Sequence, residues 1–158
     1  MAPPAKTMPA NVLLTRTSSV AEAIERLVAA ASQSVDAALY RLNHPRLAGA
    51  LEQAAERGVR VRLVLDRGKY EETRATRELL AASRIPFRLA SGRGGPGTKM
   101  HHKFALLDRR TVLIGSYNWT LESEEQNFEG LVVLSDPEAV AVYQSEFAAL
   151  WNEAVRGE

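Results

Sequence analysis

The sequence predicts an α/β fold: a mixed, mostly parallel β-sheet flanked by helices on both faces. Short branched-apolar runs alternate with helical patterns through the first half. The second half packs strand-length runs close together and ends in one long helical pattern. With 158 residues, 46% of them hydrophobic, the chain can bury one core and is too short for two ordinary domains. One domain is expected over residues 11–156, after an unstructured Pro-rich tail over residues 1–10.

Val12 to Thr15 reads as a short strand. Ser19-Val20-Ala21-Glu22 offers a capping box for a helix running to about Ser32, with Ala23, Leu27 and Ala30 at helical spacing. Val35 to Leu42 is a buried strand. Pro45 then suits a first helical turn before Leu47, Ala50, Leu51 and Ala54, and Gly58 stops that helix. Val59 to Asp66 alternates branched residues with arginines that share one face of a strand, and Glu71 to Ala82 follows as a charged helix. Phe87 to Ala90 is another strand. Ser91 to Thr98 holds four glycines and a proline, which reads as a mobile loop. Lys103 to Leu107 and Thr111 to Gly115 form a hairpin about Asp108-Arg109-Arg110, and Leu131 to Leu134 is the last strand. Asp136-Pro137 caps a helix carrying Val140, Tyr143, Phe147, Leu150 and Trp151, a stripe best read as core packing.

Lys and Arg number 20 against 19 Asp and Glu, so net charge does not announce a polyanion binder. Its distribution does more. Between Leu79 and Leu107 there is no acid, while Arg84, Arg88, Arg93, Lys99 and Lys103 fall there, so an anionic substrate is in reach. The absence of cysteine excludes disulfides, thiolate metal sites and thiol catalysis, and leaves the compartment open. No stretch has the length of a signal-peptide core or a membrane span, so a soluble chain is expected, cytoplasmic, or secreted if a leader was removed.

The chemistry concentrates in Met100-His101-His102-Lys103-Phe104-Ala105-Leu106-Leu107-Asp108. In an extended strand His101 and Lys103 share a face and His102 points away. Asp108 ends this strand, Gly115-Ser116 ends the next, and Asn118 follows. Adjacent strand residues diverge, which makes a metal site from His101, His102 and Asp108 poor. The run GRGGPGTK lacks the Gly-Lys-Ser/Thr order of a phosphate-binding loop, and no helix follows it. Arg93 and Lys99 on that run instead suit backbone contacts to a nucleic acid, and His102 and His44 read as structural.

The pattern His-x-Lys, four residues, Asp, six residues, Gly-Ser-x-Asn resembles the signature of the phospholipase D superfamily. The resemblance extends to Asn118-Trp119-Thr120 and Glu129, and more weakly to Tyr40, Ala48 to Leu51 and Arg57-Gly58-Val59 through Asp66. The chain looks like the short single-motif members, bacterial endonucleases and the mitochondrial cardiolipin hydrolase group. The resemblance implies that His101 is the nucleophile, forming a phosphohistidine, while a second His101 protonates the leaving oxygen. Lys103 would hold the phosphoryl oxygens, so no metal or other cofactor is implied. Asn118 and Ser116 would add hydrogen bonds, and Glu129 would hold the far nitrogen of His101. Asp108 and Gly115 read as structural members of the motif, Asp108 pairing with a basic group or with turn amides. Trp119, and Tyr117 beside it, either stack on a base or simply pack.

Because His102 faces away and His44 lies in a loop without the motif's own lysine and asparagine around it, the second imidazole is expected from a homodimer with its active site on the two-fold axis. The function that follows is a metal-independent phosphodiesterase, an endonuclease cleaving DNA or RNA with single strands favoured. Two alternatives stand beside it: a cardiolipin-type phospholipid hydrolase, and a catalytically weak nucleic-acid-binding module. One departure from many nuclease relatives is Tyr40-Arg41-Leu42-Asn43, which lacks their hydroxyl residue a few positions after the tyrosine of the second strand.

Overall fold

The structure is a computed structural model that describes residues 10–157. The tail expected over residues 1–10 lies outside the described residues, except Ala10, which begins the first strand. Strands β1 (Ala10–Leu14), β2 (Ser34–Leu39), β3 (Arg60–Asp66), β4 (Phe87–Ala90), β5 (Lys103–Leu107), β6 (Thr111–Gly115), β7 (Gly130–Leu134) and β8 (Val155–Arg156) form one sheet. Its order is β1-β7-β6-β5-β2-β3-β4-β8. Helices α1 (Val20–Ala30), α2 (Pro45–Glu56), α3 (Arg67–Glu72), α4 (Arg74–Ala81), α5 (Leu121–Glu125) and α6 (Pro137–Glu153) complete the chain.

The sheet is mixed and flanked on both faces as expected, but it is not mostly parallel. Only β2–β3 and β3–β4 pair in parallel; the other strand pairs are antiparallel. The physical reason is the insertion of β5 against β2. Once the β5–β6 hairpin docks antiparallel there, the meander through β7 to β1 carries that sense outward.

Local chemistry starts and stops the helices. Ser19 Oγ accepts from the Glu22 N–H, Pro45 occupies the first turn of α2, and Asp136 accepts from the Ala139 N–H. Gly58, at φ 91°, ends α2 with its N–H on Ala55 O and the Val59 N–H on Ala54 O, the paired bonds of a Schellman motif. The helix expected over Glu71 to Ala82 is two helices. Asp66 caps α3 directly after β3, and Thr73 is extended at φ −108°, ψ 99°, before α4 begins. Helix α5 and strand β8 were not expected from the sequence.

On one face, Ile24 and Val28 of α1, Leu47 and Leu51 of α2 and Leu80 of α4 pack on Val35, Leu39, Leu63 and Ala105 of the sheet. Each such large aliphatic side chain contributes about 1.5–3 kcal/mol of burial. On the other face, Val140 and Phe147 of α6 pack on Ala38, Val64 and Phe104, and Tyr143 and Trp151 lean on the same cluster. With helices holding both faces, the site forms at one end of the sheet.

Candidate active site

Tyr40, Asp66 and Ser91 follow or end β2, β3 and β4, while His101 lies two residues before β5 and Glu129 one before β7. The pairing of Phe104 with Ile114 brings the far end of β6, Gly115-Ser116, to the same rim. The site therefore lies outside the carboxyl ends of the parallel strands, where sites of α/β sheets commonly assemble.

His101 is exposed at this rim and Lys103 is half-buried. Lys103 Nζ lies 3.4 Å from each ring nitrogen of His101 and donates to its carbonyl oxygen at 2.9 Å. Partial burial holds the His101 imidazole below its ordinary range, and the positive charges of Lys103 and Lys99 push the same way against Asp66. A neutral ring at neutral pH follows. Burial also lowers the Lys103 ammonium, with Glu129 opposing. His102 points to the other face, against Glu146 at 3.1 Å and the Phe104 ring, in keeping with strand alternation. His44 is buried and caps α2, its Nδ1 accepting from the Arg46 N–H.

Gly115 has no room for a side chain, because a Cβ there would lie 2.2 Å from Gly130 O. That close approach lets Ser116 bridge to β7, its N–H on Gly130 O and its Oγ accepting from the Gly130 N–H. Asn118 and Glu129 are joined through α5: the Asn118 N–H donates to Ser123 Oγ, and that hydroxyl donates to Glu129 Oε2 at 2.8 Å. Asn118 Oδ1 is buried with no hydrogen-bond partner among the described residues, an uncompensated acceptor that costs about 1–3 kcal/mol.

Several expectations change. Glu129 does not hold the His101 ring of its own chain; its carboxylate accepts from Ser123 and Asn127 because β7 begins on the far side of β6 from β5. The neighbouring acids have other work. Glu124 accepts from Ser19 Oγ, the Ala21 N–H and the Tyr117 hydroxyl, and Glu122 accepts from Asn43. Trp119 and Tyr117 cannot stack on substrate: both are fully buried, and the Trp119 carbonyl accepts from the Asn43 and His44 N–H groups. Asp108 binds turn amides, its carboxylate accepting from the Ser32, Gln33 and Ser34 N–H groups at 2.7–3.1 Å. Burial pushes that carboxyl up, but the amide bonds outweigh it and hold it below its ordinary range.

The Gly-rich segment is folded into turns, with the Gly95 N–H on Gly92 O and the Thr98 N–H on Gly95 O. Exposed Arg93 and Lys99 line a cavity of about 500 Å³ with His101 and His102. Arg88 leaves this group, donating to Trp151 O on the α6 face. Two contributors had no assigned role. The Tyr40 ring meets His101 edge to face at 4.5 Å and faces the Lys103, Lys69 and Lys99 ammonium groups at 5.2, 5.8 and 5.9 Å. Asp66 Oδ1 accepts from the Met100 N–H. Their positions at the ends of adjacent parallel strands were the available signal.

Residues 24–151 match the family model described as cardiolipin synthase, PLD-like domain. The mitochondrial cardiolipin hydrolase of Homo sapiens is 34% identical over 128 residues, 81% of this chain and 49% of that protein. The Mus musculus protein of the same name is 32% identical over 86% of this chain and 59% of its own. The chain thus spans about half the length of these relatives. Among solved structures, the phospholipase D family member Nuc from Salmonella typhimurium superposes with a TM-score of 0.85. It is 26% identical, over 94% of this chain and 97% of that one. NucT from Helicobacter pylori, at 22% identity, shares the fold with a TM-score of 0.80 over 94% and 98% of the two chains. With a family match over most of the sequence and a shared fold over nearly all of the chain, the protein belongs to the phospholipase D superfamily through its PLD-like domain.

Proposed function

We propose that this chain is a metal-independent phosphodiesterase that cleaves DNA or RNA, single strands preferred, as a homodimer with its active site on the two-fold axis. The observation that carries the reading is the His101–Lys103 pair: an imidazole kept neutral, beside an ammonium that can hold phosphoryl oxygens. His101 attacks phosphorus and the P–O bond to the leaving group breaks as the P–N bond forms. The second His101, across the axis, enters protonated, the two coupled rings sharing one proton; it gives that proton to the leaving oxygen and then takes one from the water that hydrolyses the phosphohistidine. Asn118 donates from its amide to the phosphoryl group, and Ser116 lies beside it at the end of β6. Arg93 and Lys99 line the cavity next to His101 and suit backbone phosphates.

The homodimer is supported by what one chain lacks and by what it exposes. His102 and His44 are committed elsewhere, so a single chain supplies one usable imidazole. Phe128, next to Glu129, is 78% exposed, and Val12 and Leu14 of β1 are also exposed. These apolar side chains flank the site and give a second copy a surface to cover.

A second reading is a cardiolipin-type phospholipid hydrolase, favoured by the name of the curated relatives. Among the described residues no helix is long and apolar enough to cross a membrane. The test is parallel incubation of purified protein with single-stranded DNA, RNA and cardiolipin vesicles in excess EDTA. Nucleic-acid cleavage that His101→Ala abolishes is expected. A strict metal requirement, or lipid turnover with intact nucleic acid, would overturn the first reading.

A further inference from the structure

Because Glu129 leaves the His101 ring of its own chain alone, something else must fix that ring for in-line attack. The backbone on both sides of His101 is pinned. Before it, the Met100 N–H donates to Asp66 Oδ1 at 2.9 Å, while Asp66 Oδ2 accepts the Lys69 N–H at the start of α3. After it, the Tyr40 N–H donates to His102 O at 2.8 Å. Asp66 and Tyr40 are both buried, at 3% and 8% exposure, so each anchor is part of the packed sheet end rather than a free side chain. The Tyr40 ring then closes on the imidazole edge to face, at 4.5 Å and 62°.

We infer that Asp66 and Tyr40 are positioning residues for His101: Asp66 holds the peptide that carries it, and the Tyr40 ring sets the plane of its imidazole. The inference rests on His101 being the nucleophile. A carboxylate suits this task better than a neutral acceptor, since its bonds to amide N–H groups are charge-assisted and about twice as strong. Its charge also matters. His101 is faced by Lys103 from β5 and Lys99 after the Gly-rich segment, with a smaller influence from His102 on the other face, and Asp66 supplies the opposing negative charge. The Tyr40 ring adds a second restraint, because its face is also turned to the Lys103 ammonium that accompanies the nucleophile. Misplacement of a reacting atom by about 1 Å costs on the order of a hundredfold, so loose anchors would be felt in kcat rather than KM.

The experiment measures cleavage of a single-stranded oligonucleotide and of bis(p-nitrophenyl) phosphate by full-length Asp66→Asn, Asp66→Ala, Tyr40→Phe and Tyr40→Leu. It adds thermal melting and the NMR titration of His101. Asp66→Ala and Tyr40→Leu are expected to lose about tenfold to a hundredfold in kcat on the substrates that the parent cleaves, with KM little changed. Tyr40→Phe should recover most of the loss, since the ring remains. Asp66→Asn should move the His101 titration to lower pH, because a negative charge beside the imidazole has gone. The inference is overturned if Asp66→Ala and Tyr40→Leu melt as folded proteins and keep the parent kcat. It is also overturned if Tyr40→Phe is no better than Tyr40→Leu while the His101 titration stays in place in Asp66→Asn. Full activity in His101→Ala would instead remove the nucleophile on which the inference stands.

Discussion

The Lys103 ammonium is equidistant from the two ring nitrogens of His101, at 3.4 Å, and gives its short hydrogen bond, 2.9 Å, to the carbonyl oxygen of the same residue. Neither ring nitrogen is singled out as acceptor, so Lys103 acts on the imidazole chiefly as a nearby positive charge. If His101 is the nucleophile proposed above, the neutral ring is the reactive form, and the acidic limb of the pH–rate profile should fall below 6.5, the ordinary histidine value. Lys103→Met removes one charge that opposes protonation and leaves burial and Lys99 in place. The His101 titration should therefore move up toward 6.5 by NMR, and kcat should drop about a hundredfold to a thousandfold from the lost phosphoryl contact. A downward move of the titration would contradict this electrostatic assignment.

Gly115→Ala tests the junction that delivers Ser116 and Asn118. A methyl group 2.2 Å from Gly130 O meets backbone, not a flexible side chain, and φ at Gly115 is 154°. Relief requires β6 and β7 to separate where Ser116 is doubly bonded to Gly130. We expect a loss of about 3 kcal/mol in urea unfolding, with activity reduced in whatever fraction stays folded.

Asp108 is the motif residue whose work is stability. Its folded-state pKa is depressed below 3.8, so its contribution is fully present above that value and is lost as pH falls through the folded-state pKa. Asp108→Ala should cost about 2 kcal/mol at pH 7, from amide donors left without their charged acceptor, and lower Tm by about 4–8 °C. Below pH 3.8 the gap between parent and variant should narrow as the carboxylate protonates, down to the cost of placing Ala at φ 54°. A gap that widens in acid would show that the carboxylate is not the source.

What the sequence made legible was local. Ser19, Pro45, Gly58 and Asp136 mark helix ends because a cap is a contact between residues a few positions apart. The Asp108-Arg109-Arg110 hairpin was legible for the same reason, with Asp108 and Arg109 at positive φ. Strand sense was not, since βα alternation up to Phe87 looks parallel and nothing local says that β5 slots in antiparallel to β2. His101 and Lys103 stood out through a motif read on one strand. Asp66 did not, because its partner Met100 is 34 residues away. Trp119 misled because strand alternation gives no guide beyond Gly115, where the chain turns, the Trp119 backbone pairs with Leu42 and Asn43, and the side chain is buried.

Phe128 offers the most direct test of the shared site. Its ring is 78% exposed beneath the Arg16 guanidinium at 4.3 Å, and it directly precedes Glu129. Leu13 packs on the α1–α2 core, so Val12 and Leu14 project from the opposite face of β1, while α6 lies mainly over β2, β4, β5 and β6. If the two-fold proposed above also covers this apolar rim, a carboxylate placed there puts a desolvated charge into the interface. Phe128→Glu should therefore sediment as a monomer where the parent sediments as a dimer. Without a second imidazole to protonate the leaving oxygen, the monomer should lose about a hundredfold or more in kcat and the bell shape of its pH profile. The lost activity should return partly at high protein concentration, as mass action restores the pair. Monomers that keep the parent kcat would mean that one chain carries its own acid, and the two-fold site would have to be abandoned.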